Sequence, residues 1–263
     1  MSKKTITVKT AAFAFLLAVC ANAAYAEGLA DRDASEIGTP QTAEGFLERG
    51  YAYFRKGDFD RSINDYNAAI KIKPDYAYAL NNRGIVYLEK GEFDLAMADF
   101  NAALEIDPEL VTALSARGDI YLRKGENDMA IADYNTALMI KPDCAPAFNG
   151  LGYLYFGKQD YDLALKNFND SLAIETSVQS LNGRGITYTH QGELDKAIAD
   201  FDKAVSLERY NPIPYANRAH AYRKKGDLNR AIVDYESALE FAGPDTADIF
   251  ESFLNDAKEE LGQ

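Results

Sequence analysis

The sequence predicts an all-α fold in which helix-turn-helix units are stacked one after another. Three observations support this prediction. A short motif recurs at intervals of 34 residues, apolar and small residues within each unit are spaced three and four apart, and Gly or Pro recurs where helices should end. Such self-similarity is typical of arrays in which each unit buries its apolar face against its neighbours.

The recurring motif pairs a basic residue with a small one in five of its six copies, and a Tyr follows three residues after the small residue. The copies are Arg49-Gly50, Arg83-Gly84, Arg117-Gly118, Leu151-Gly152, Arg184-Gly185 and Arg218-Ala219. Further along each unit, a small residue precedes an aromatic residue by four positions, as Ala96 precedes Phe100. Only the step from Gly152 to Gly185 differs, at 33 residues.

Two helices per unit follow from the spacing, since a set such as Ala96, Phe100, Ala103 and Leu104 forms the stripe of an amphipathic helix. A Gly recurs where the first helix must end, at Gly57, Gly91, Gly125, Gly192 and Gly226, and an acidic residue then begins the second helix. At three unit boundaries the second helix is stopped by Pro74, Pro108 and Pro142.

On these residues the chain resembles the tetratricopeptide repeat family. The resemblance implies a right-handed superhelical solenoid in which the Gly at the eighth position lets the two helices of a unit approach closely. It places six repeats at 43–76, 77–110, 111–144, 145–177, 178–211 and 212–245.

Segments outside the repeats have distinct patterns. Residues 246–263 carry apolar residues on one face and predict a helix that caps the apolar end of the array. Residues 27–42, rich in Asp, Ser, Gly and Thr, predict a flexible leader. Residues 1–26 predict a cleaved signal peptide, because a basic start and a short apolar run precede the small-x-small pattern that ends at Ala26. Export to the periplasm or beyond is therefore expected, without membrane insertion.

Cleavage after Ala26 would leave 25 basic and 41 acidic residues, a formal charge of −16. Such a surface repels nucleic acid and anionic lipid. Cys20 lies where a lipoprotein cysteine could lie, but Val19 replaces the small residue that such signals carry, which argues against lipidation. Cys144 would then be the single cysteine, and a small buried hydrophobe is favoured over a redox role for it.

The sequence contains no pattern that indicates catalysis, a metal or a cofactor. The two histidines, His190 and His220, lie about one repeat apart without neighbouring metal-ligand spacing, and no Gly-rich phosphate loop follows a strand. Acidic pairs such as Glu259-Glu260 are typical of a solvated helix face. We therefore expect a non-enzymatic protein that requires no cofactor.

The family resemblance implies a ligand groove lined by the first helix of each repeat. Its groove positions fall here on Tyr51, Phe54, Tyr78, Asn81, Asn82, Asp119, Asn149, Tyr153, Phe156, Asn182, His190, Asn217, His220 and Arg223. An Asn amide both donates to and accepts from an extended peptide backbone, while Tyr and Phe supply apolar anchors. The alternative is that the Asn residues serve capping or solvation and that the aromatic residues pack between repeats.

Three functions remain open from the sequence. The first is an adaptor of the bacterial envelope that binds an extended peptide or a partner helix in the groove. The second is a structural element that self-assembles, with the groove of one copy taking the capping helix or leader of another. The third is an accessory protein that binds a cell-wall glycan through Tyr78, Tyr153 and the Asn residues. Lys and Arg are missing from the second and fifth groove positions, which argues against a terminal-carboxylate clamp of the kind that binds cytosolic chaperones.

Comparison of the repeats predicts one further feature, an ion pair between the two helices of a repeat. Five repeats carry Arg at the seventh position and Asp sixteen residues later, as in Arg83 and Asp99, whereas the fourth carries Leu151 and Asn167. If the Arg and the Asp of one repeat form a pair, both should be replaced together, because replacement of one alone would leave a partly buried charge without its partner.

Overall fold

The computed structural model describes residues 33–262, so the predicted signal peptide, Cys20 and the start of the leader lie outside the described residues. This part of the chain forms thirteen α-helices and no strand, which confirms the predicted all-α fold class. The helices are α1 (Ala43–Arg55), α2 (Phe59–Ile72), α3 (Ala77–Glu89), α4 (Phe93–Ile106), α5 (Val111–Lys124), α6 (Asn127–Ile140), α7 (Ala145–Gly157), α8 (Tyr161–Ile174), α9 (Val178–Gln191), α10 (Leu194–Leu207), α11 (Pro212–Lys225), α12 (Leu228–Glu240) and α13 (Pro244–Leu261). None of these helices is long and apolar enough to cross a membrane.

Local sequence signals explain where the helices begin and end. The side chains of Asp58, Asp160 and Asp227 each accept a hydrogen bond from a backbone N–H in the first turn of a second helix, α2, α8 or α12. Most first helices end near a Gly with a left-handed backbone, such as Gly125 with a φ of 76°. In the fourth pair Gln159 takes this conformation instead, with a φ of 63°.

The described residues divide into two compact units, the N-terminal unit (33–150) and the C-terminal unit (151–262). In the N-terminal unit, each first helix contacts its second helix through a Gly that faces an aromatic ring. A Cβ added to Gly84 would lie 2.9 Å from the Phe100 ring, and one added to Gly118 would lie 2.7 Å from the Tyr134 ring. Only Gly permits this approach without a shift of the ring.

The C-terminal unit uses the same contact, with Gly152 against Phe168 and Gly185 against Phe201, each 2.6 Å from an added Cβ. Its last helix, α13, packs on α12, and Leu254 and Ala257 join a buried cluster that includes Tyr235. Burial of this apolar end is what a repeat array needs at its terminus.

The predicted Arg–Asp pairs are confirmed in all five repeats that carry them. Arg83 donates to both carboxylate oxygens of Asp99, from Nε at 2.8 Å and from Nη2 at 2.6 Å. The equivalent pairs are Arg49 with Asp65, Arg117 with Asp133, Arg184 with Asp200 and Arg218 with Asp234. In the fourth repeat Asn167 is buried and donates instead to the backbone oxygen of Leu163.

Four of these five arginines also donate a hydrogen bond to a side chain of the preceding helix pair. The Nη1 of Arg83 donates to Asn67 of α2 at 2.6 Å, and that of Arg117 donates to Asn101 of α4 at 2.9 Å. In the C-terminal unit, Arg184 and Arg218 make the same contact with Asn169 and Asp202. One guanidinium therefore holds three helices, which fixes a repeat against its neighbour as well as pairing its own two helices.

Candidate functional site

The first helices of neighbouring pairs touch each other within each unit, and their shared surface is the candidate binding face. In the N-terminal unit the neighbours α1 and α3, and α3 and α5, make this contact; in the C-terminal unit α9 and α11 do so.

Aromatic side chains lie at the start of the N-terminal face. Tyr51 and Phe54 are half-buried and have ring centroids 6.5 Å apart, and Phe54 lies 6.0 Å from Phe59 of α2. Tyr78 is half-buried and packs against a core cluster formed by residues of α1, α2 and α3. These three predicted residues retain exposed ring surface that an apolar side chain of a ligand can contact.

The asparagines of α3 lie deeper than the groove register suggests. Asn81 is fully buried and Asn82 is buried. Asn81 donates to the side-chain oxygen of Asn82 at 3.0 Å and accepts from the Thr112 hydroxyl at 3.3 Å, while Asn82 bonds the Tyr66 hydroxyl. Both amides thus join neighbouring helices, and their truncation would remove packing as well as any ligand contact.

Asp119 of α5 is the acidic group of the N-terminal face. The Tyr134 hydroxyl donates to its carboxylate at 2.6 Å, and burial raises the pKa of Asp119 to about 7 despite this bond and the nearby charge of Arg123. The guanidinium of Arg123 lies over the Phe93 ring at 5.3 Å, and its Nε and Nη2 atoms are buried without a hydrogen-bond partner among the described residues. Neither Arg123 nor the tyrosine hydroxyl was singled out from the sequence.

Asn149 and Cys144 complete the predicted features of this unit. Asn149 is half-buried in α7. Cys144 is buried, and its sulfur lies 3.6 Å from the Ser115 hydroxyl, so it packs as the small hydrophobic residue that the sequence favours.

The C-terminal face begins with a cluster of aromatic rings. His190 of α9 packs edge-on against Phe156 of α7 at 5.0 Å and lies 5.8 Å from Tyr161 of α8. Tyr153 is buried against Phe168, and its hydroxyl donates to the backbone oxygen of Gln179 at 2.9 Å. Of these predicted residues His190 is exposed and Phe156 half-buried, whereas Tyr153 joins α7 to α9.

Polar residues of α9 and α11 continue this face. Asn217 donates to Asn182 at 3.5 Å, which places a half-buried amide beside a buried one. His220 is half-buried, and burial, followed by the charges of Lys224 and Arg223, lowers its pKa to about 4. Burial and Lys224 also lower the pKa of His190. Both imidazoles are therefore neutral near pH 7.

Arg223, the last predicted residue, is already engaged within the chain. Its Nε donates to Glu260 of α13 at 2.9 Å, its Nη2 contacts the same carboxylate, and Asp256 lies 3.9 Å from its Nη1. The sequence register does not show this contact, because it depends on how α13 packs. Among residues 33–262 no group of three or more His, Cys, Asp and Glu side chains is placed to hold a metal ion.

Comparisons with known proteins agree with this architecture. Family models described as TPR repeat match residues 50–91 and 118–159, and models described as Tetratricopeptide repeat match 77–110, 145–177, 178–211 and 214–244. Together these ranges cover more than half of the chain. No curated protein sequence matches the chain significantly.

Three solved structures illustrate the structural similarity. A tetratricopeptide repeat protein from Parabacteroides merdae is 26% identical, with a TM-score of 0.61 over 84% of this chain and 88% of that one. A chain of the APC/C hetero-tetramer Cut9-Hcn1 is 17% identical, with a TM-score of 0.78 over 85% of this chain; the match spans only 45% of that chain. YrrB, described as a TPR protein with an unusual peptide-binding site, is 19% identical, with a TM-score of 0.50 over 74% of this chain and 97% of its own.

Proposed function

Since the chain belongs to the tetratricopeptide repeat family, we propose that it is a non-enzymatic scaffold that binds an extended peptide or a partner helix on its first-helix faces. The family generally mediates protein–protein interaction, and YrrB offers a precedent for a peptide ligand. The predicted signal peptide supports a place in the bacterial envelope, as an adaptor in the periplasm.

The main support for this proposal is that first and second helices differ in which side chains they bury. The second helices direct their fully buried aromatic residues, such as Phe100 and Phe201, into the contact within the pair. The first helices leave rings and hydrogen-bonding groups partly exposed, including Phe54, Phe156 and Asn217. Exposed rings beside amides are the combination that anchors a peptide side chain and its backbone at once.

The first-helix faces also explain why truncation of the buried asparagines is a poor test. Asn82 and Asn182 are buried, so their truncation would remove packing and would lower stability and binding together. Variants at half-buried positions separate the two effects, and Tyr51 in the N-terminal unit and Asn217 in the C-terminal unit suit this purpose.

The experiment is affinity capture from an envelope fraction by the immobilised mature protein, followed by mass spectrometry. A Tyr51→Ala, Asn217→Ala double variant should lose most of the captured proteins, while a Val233→Ala control at an exposed site on α12 should retain them. Circular dichroism must show matching helicity for the three proteins. If the double variant captures the same set as the parent, the first-helix faces are not the binding surface.

The self-assembly alternative requires α13 to leave its own chain or to offer its outer surface. Within the chain, Phe250, Leu254 and Ala257 are buried, and Glu260 pairs with Arg223. Light scattering on the mature protein distinguishes the alternatives, because self-assembly that disappears when 246–263 is deleted would favour the structural element over the adaptor.

A further inference from the structure

Acidic residues are distributed unevenly between the helices of the C-terminal unit. The chain has 41 acidic residues, yet α9 and α11 contain none. The second helices α10 and α12 contain three Asp or Glu each, and α13 contains more. The two helices that form this surface therefore contribute no carboxylate to it, within a strongly acidic protein.

Four residues form this surface, which we call the basic face: His190 of α9 with Asn217, His220 and Lys224 of α11. Lys224 donates to the backbone oxygen of Thr189, the residue before His190, at 3.4 Å, and His220 lies one helical turn before Lys224 on α11. The Lys224 charge also lowers the pKa of both imidazoles. The Asn217 amide lies on the same side of α11, within 3.5 Å of Asn182 of α9.

Lys224 differs from three other lysines at the ends of first helices. Lys90, Lys124 and Lys225 each pair with an Asp at the start of a preceding second helix, namely Asp60, Asp94 and Asp195. Lys224 is exposed, and the nearest partner of its ammonium group in residues 33–262 is the backbone oxygen of Thr189 at 3.4 Å. No carboxylate of the described chain neutralises it within ion-pair distance.

A contact within the chain shows that the C-terminal end of α11 binds carboxylates. Arg223, immediately before Lys224, binds the carboxylates of Glu260 and Asp256 from a packed neighbouring helix. Lys224, the next residue, carries the same positive charge, but no carboxylate of α13 lies within ion-pair distance of it. Beside it, the exposed His190 ring continues into the rings of Phe156 and Tyr161.

We propose that the basic face binds an acidic, extended segment of a partner protein. Side-chain carboxylates of the segment pair with the Lys224 ammonium group and accept hydrogen bonds from the N–H groups of the two neutral imidazoles, and its peptide backbone bonds Asn217. A flanking apolar side chain contacts the Phe156–Tyr161 rings. This inference rests on the proposed function and adds the class of partner. The negative charge on the rest of the protein repels the same acidic segment. The basic face therefore determines both where the segment binds and which segments are selected.

The test is a fluorescence anisotropy titration with two labelled ten-residue peptides, one alternating Glu with Leu or Phe and one with Gln in place of each Glu. The parent protein at low ionic strength should bind the Glu peptide at least fivefold more tightly, and added salt should reduce that preference. Equal affinity for the two peptides would overturn the proposal.

A matched pair of variants locates the site. Lys224→Gln and Lys225→Gln remove the same charge from adjacent positions, but Lys225 pairs with Asp195 and Lys224 has no such partner. Lys224→Gln should weaken binding of the Glu peptide at least fivefold, and Lys225→Gln less than twofold. Equal losses would show that net charge alone attracts the peptide and would overturn the assignment to the basic face.

Two further outcomes are distinguishable. If sedimentation velocity shows a dimer that Lys224→Gln dissociates, the occupant is the acidic C-terminal helix of a second copy, and the proposed partner class is wrong. If envelope proteins are still captured in a Tyr51- and Asn217-dependent manner while the Glu peptide shows no preference, the scaffold proposal stands and the acidic-partner inference fails.

Discussion

The two units build their first-helix faces on the same repeat and give them different chemistry. The first helices of the N-terminal unit contain acidic residues, with Glu44 and Glu48 in α1, Glu89 in α3 and Asp119 in α5. The first helices α9 and α11 of the C-terminal unit contain histidines, arginines and lysines and no acidic residue. Both units contain the Gly–aromatic contact and the Arg–Asp pair. Because these packing contacts use other positions, the groove positions can differ between the units.

The two units differ at the Arg–Asp pair, because one repeat of the C-terminal unit carries Leu151 and Asn167 instead. Asp99→Ala in the N-terminal unit would strand the guanidinium of Arg83, and we expect a loss of about 2–4 kcal/mol in the free energy of unfolding. Asn167→Ala removes only an amide hydrogen bond and should cost about 0.5–1.5 kcal/mol. Urea denaturation measures both, and equal losses would contradict the role assigned to the pair.

A second set of variants tests whether packing between neighbouring pairs is equivalent in the two units. A Cβ at Gly150 would lie 2.3 Å from the Tyr134 ring, and a Cβ at Gly183 would lie 2.3 Å from the Phe168 ring. Gly150→Ala and Gly183→Ala should each cost about 1–3 kcal/mol through overpacking. Gly243→Ala is the control, because nothing lies within 4 Å of its Cβ. A neutral result at either ring would show that the ring moves aside freely.

Much of this architecture follows from the sequence, because packing repeats in every unit. The Arg–Asp pair could be predicted by comparing units, since Leu151 and Asn167 change together. The additional bond from Arg83 to Asn67 could not, because it depends on how one pair stacks on the next. The groove register likewise gives the face on which Asn82 and Asn182 lie but not their depth, which the neighbouring helices determine.

The contact of Glu260 with Arg223 in the candidate site could not be predicted from the sequence either. α13 follows the last repeat and has no second copy for comparison, so its apolar stripe predicts that it packs but not which charges it brings to α11. The sequence likewise does not show that Lys224 forms no ion pair within residues 33–262, whereas Lys90, Lys124 and Lys225 do.

Asp119 of the N-terminal face should make stability fall as pH rises from about 4 to about 7. Burial raises the pKa of Asp119 to about 7 from about 3.9 in an unfolded chain, so the penalty for its charge appears as pH rises between these values. Asp119→Asn retains an acceptor for the Tyr134 hydroxyl and removes that penalty. We expect a gain of about 1–2 kcal/mol at pH 8 and almost none at pH 4.5, by urea denaturation. A loss at pH 8 would show that the carboxylate stabilises the native fold.

The C-terminal face should respond in the opposite direction. The pKa of His220 is lowered to about 4 from about 6.5 in an unfolded chain, so its contribution to stability is retained above pH 6.5 and is lost as pH falls towards 4. His220→Gln should therefore be more stable than the parent by about 1 kcal/mol at pH 5, a value discounted for partial exposure, and should show no gain at pH 7.5. A pH-independent difference between the two proteins would remove this contrast between the units.

The most direct test of the account asks which helices contact a partner. A photoreactive benzoylphenylalanine at position 190, on α9, and another at position 233, on α12, sample a first and a second helix of the same unit at exposed sites. After irradiation with an envelope fraction, position 190 should yield crosslinked partners that Lys224→Gln reduces, and position 233 should yield almost none. Crosslinks from position 233 without any from position 190 would contradict the assignment of binding to the first-helix faces.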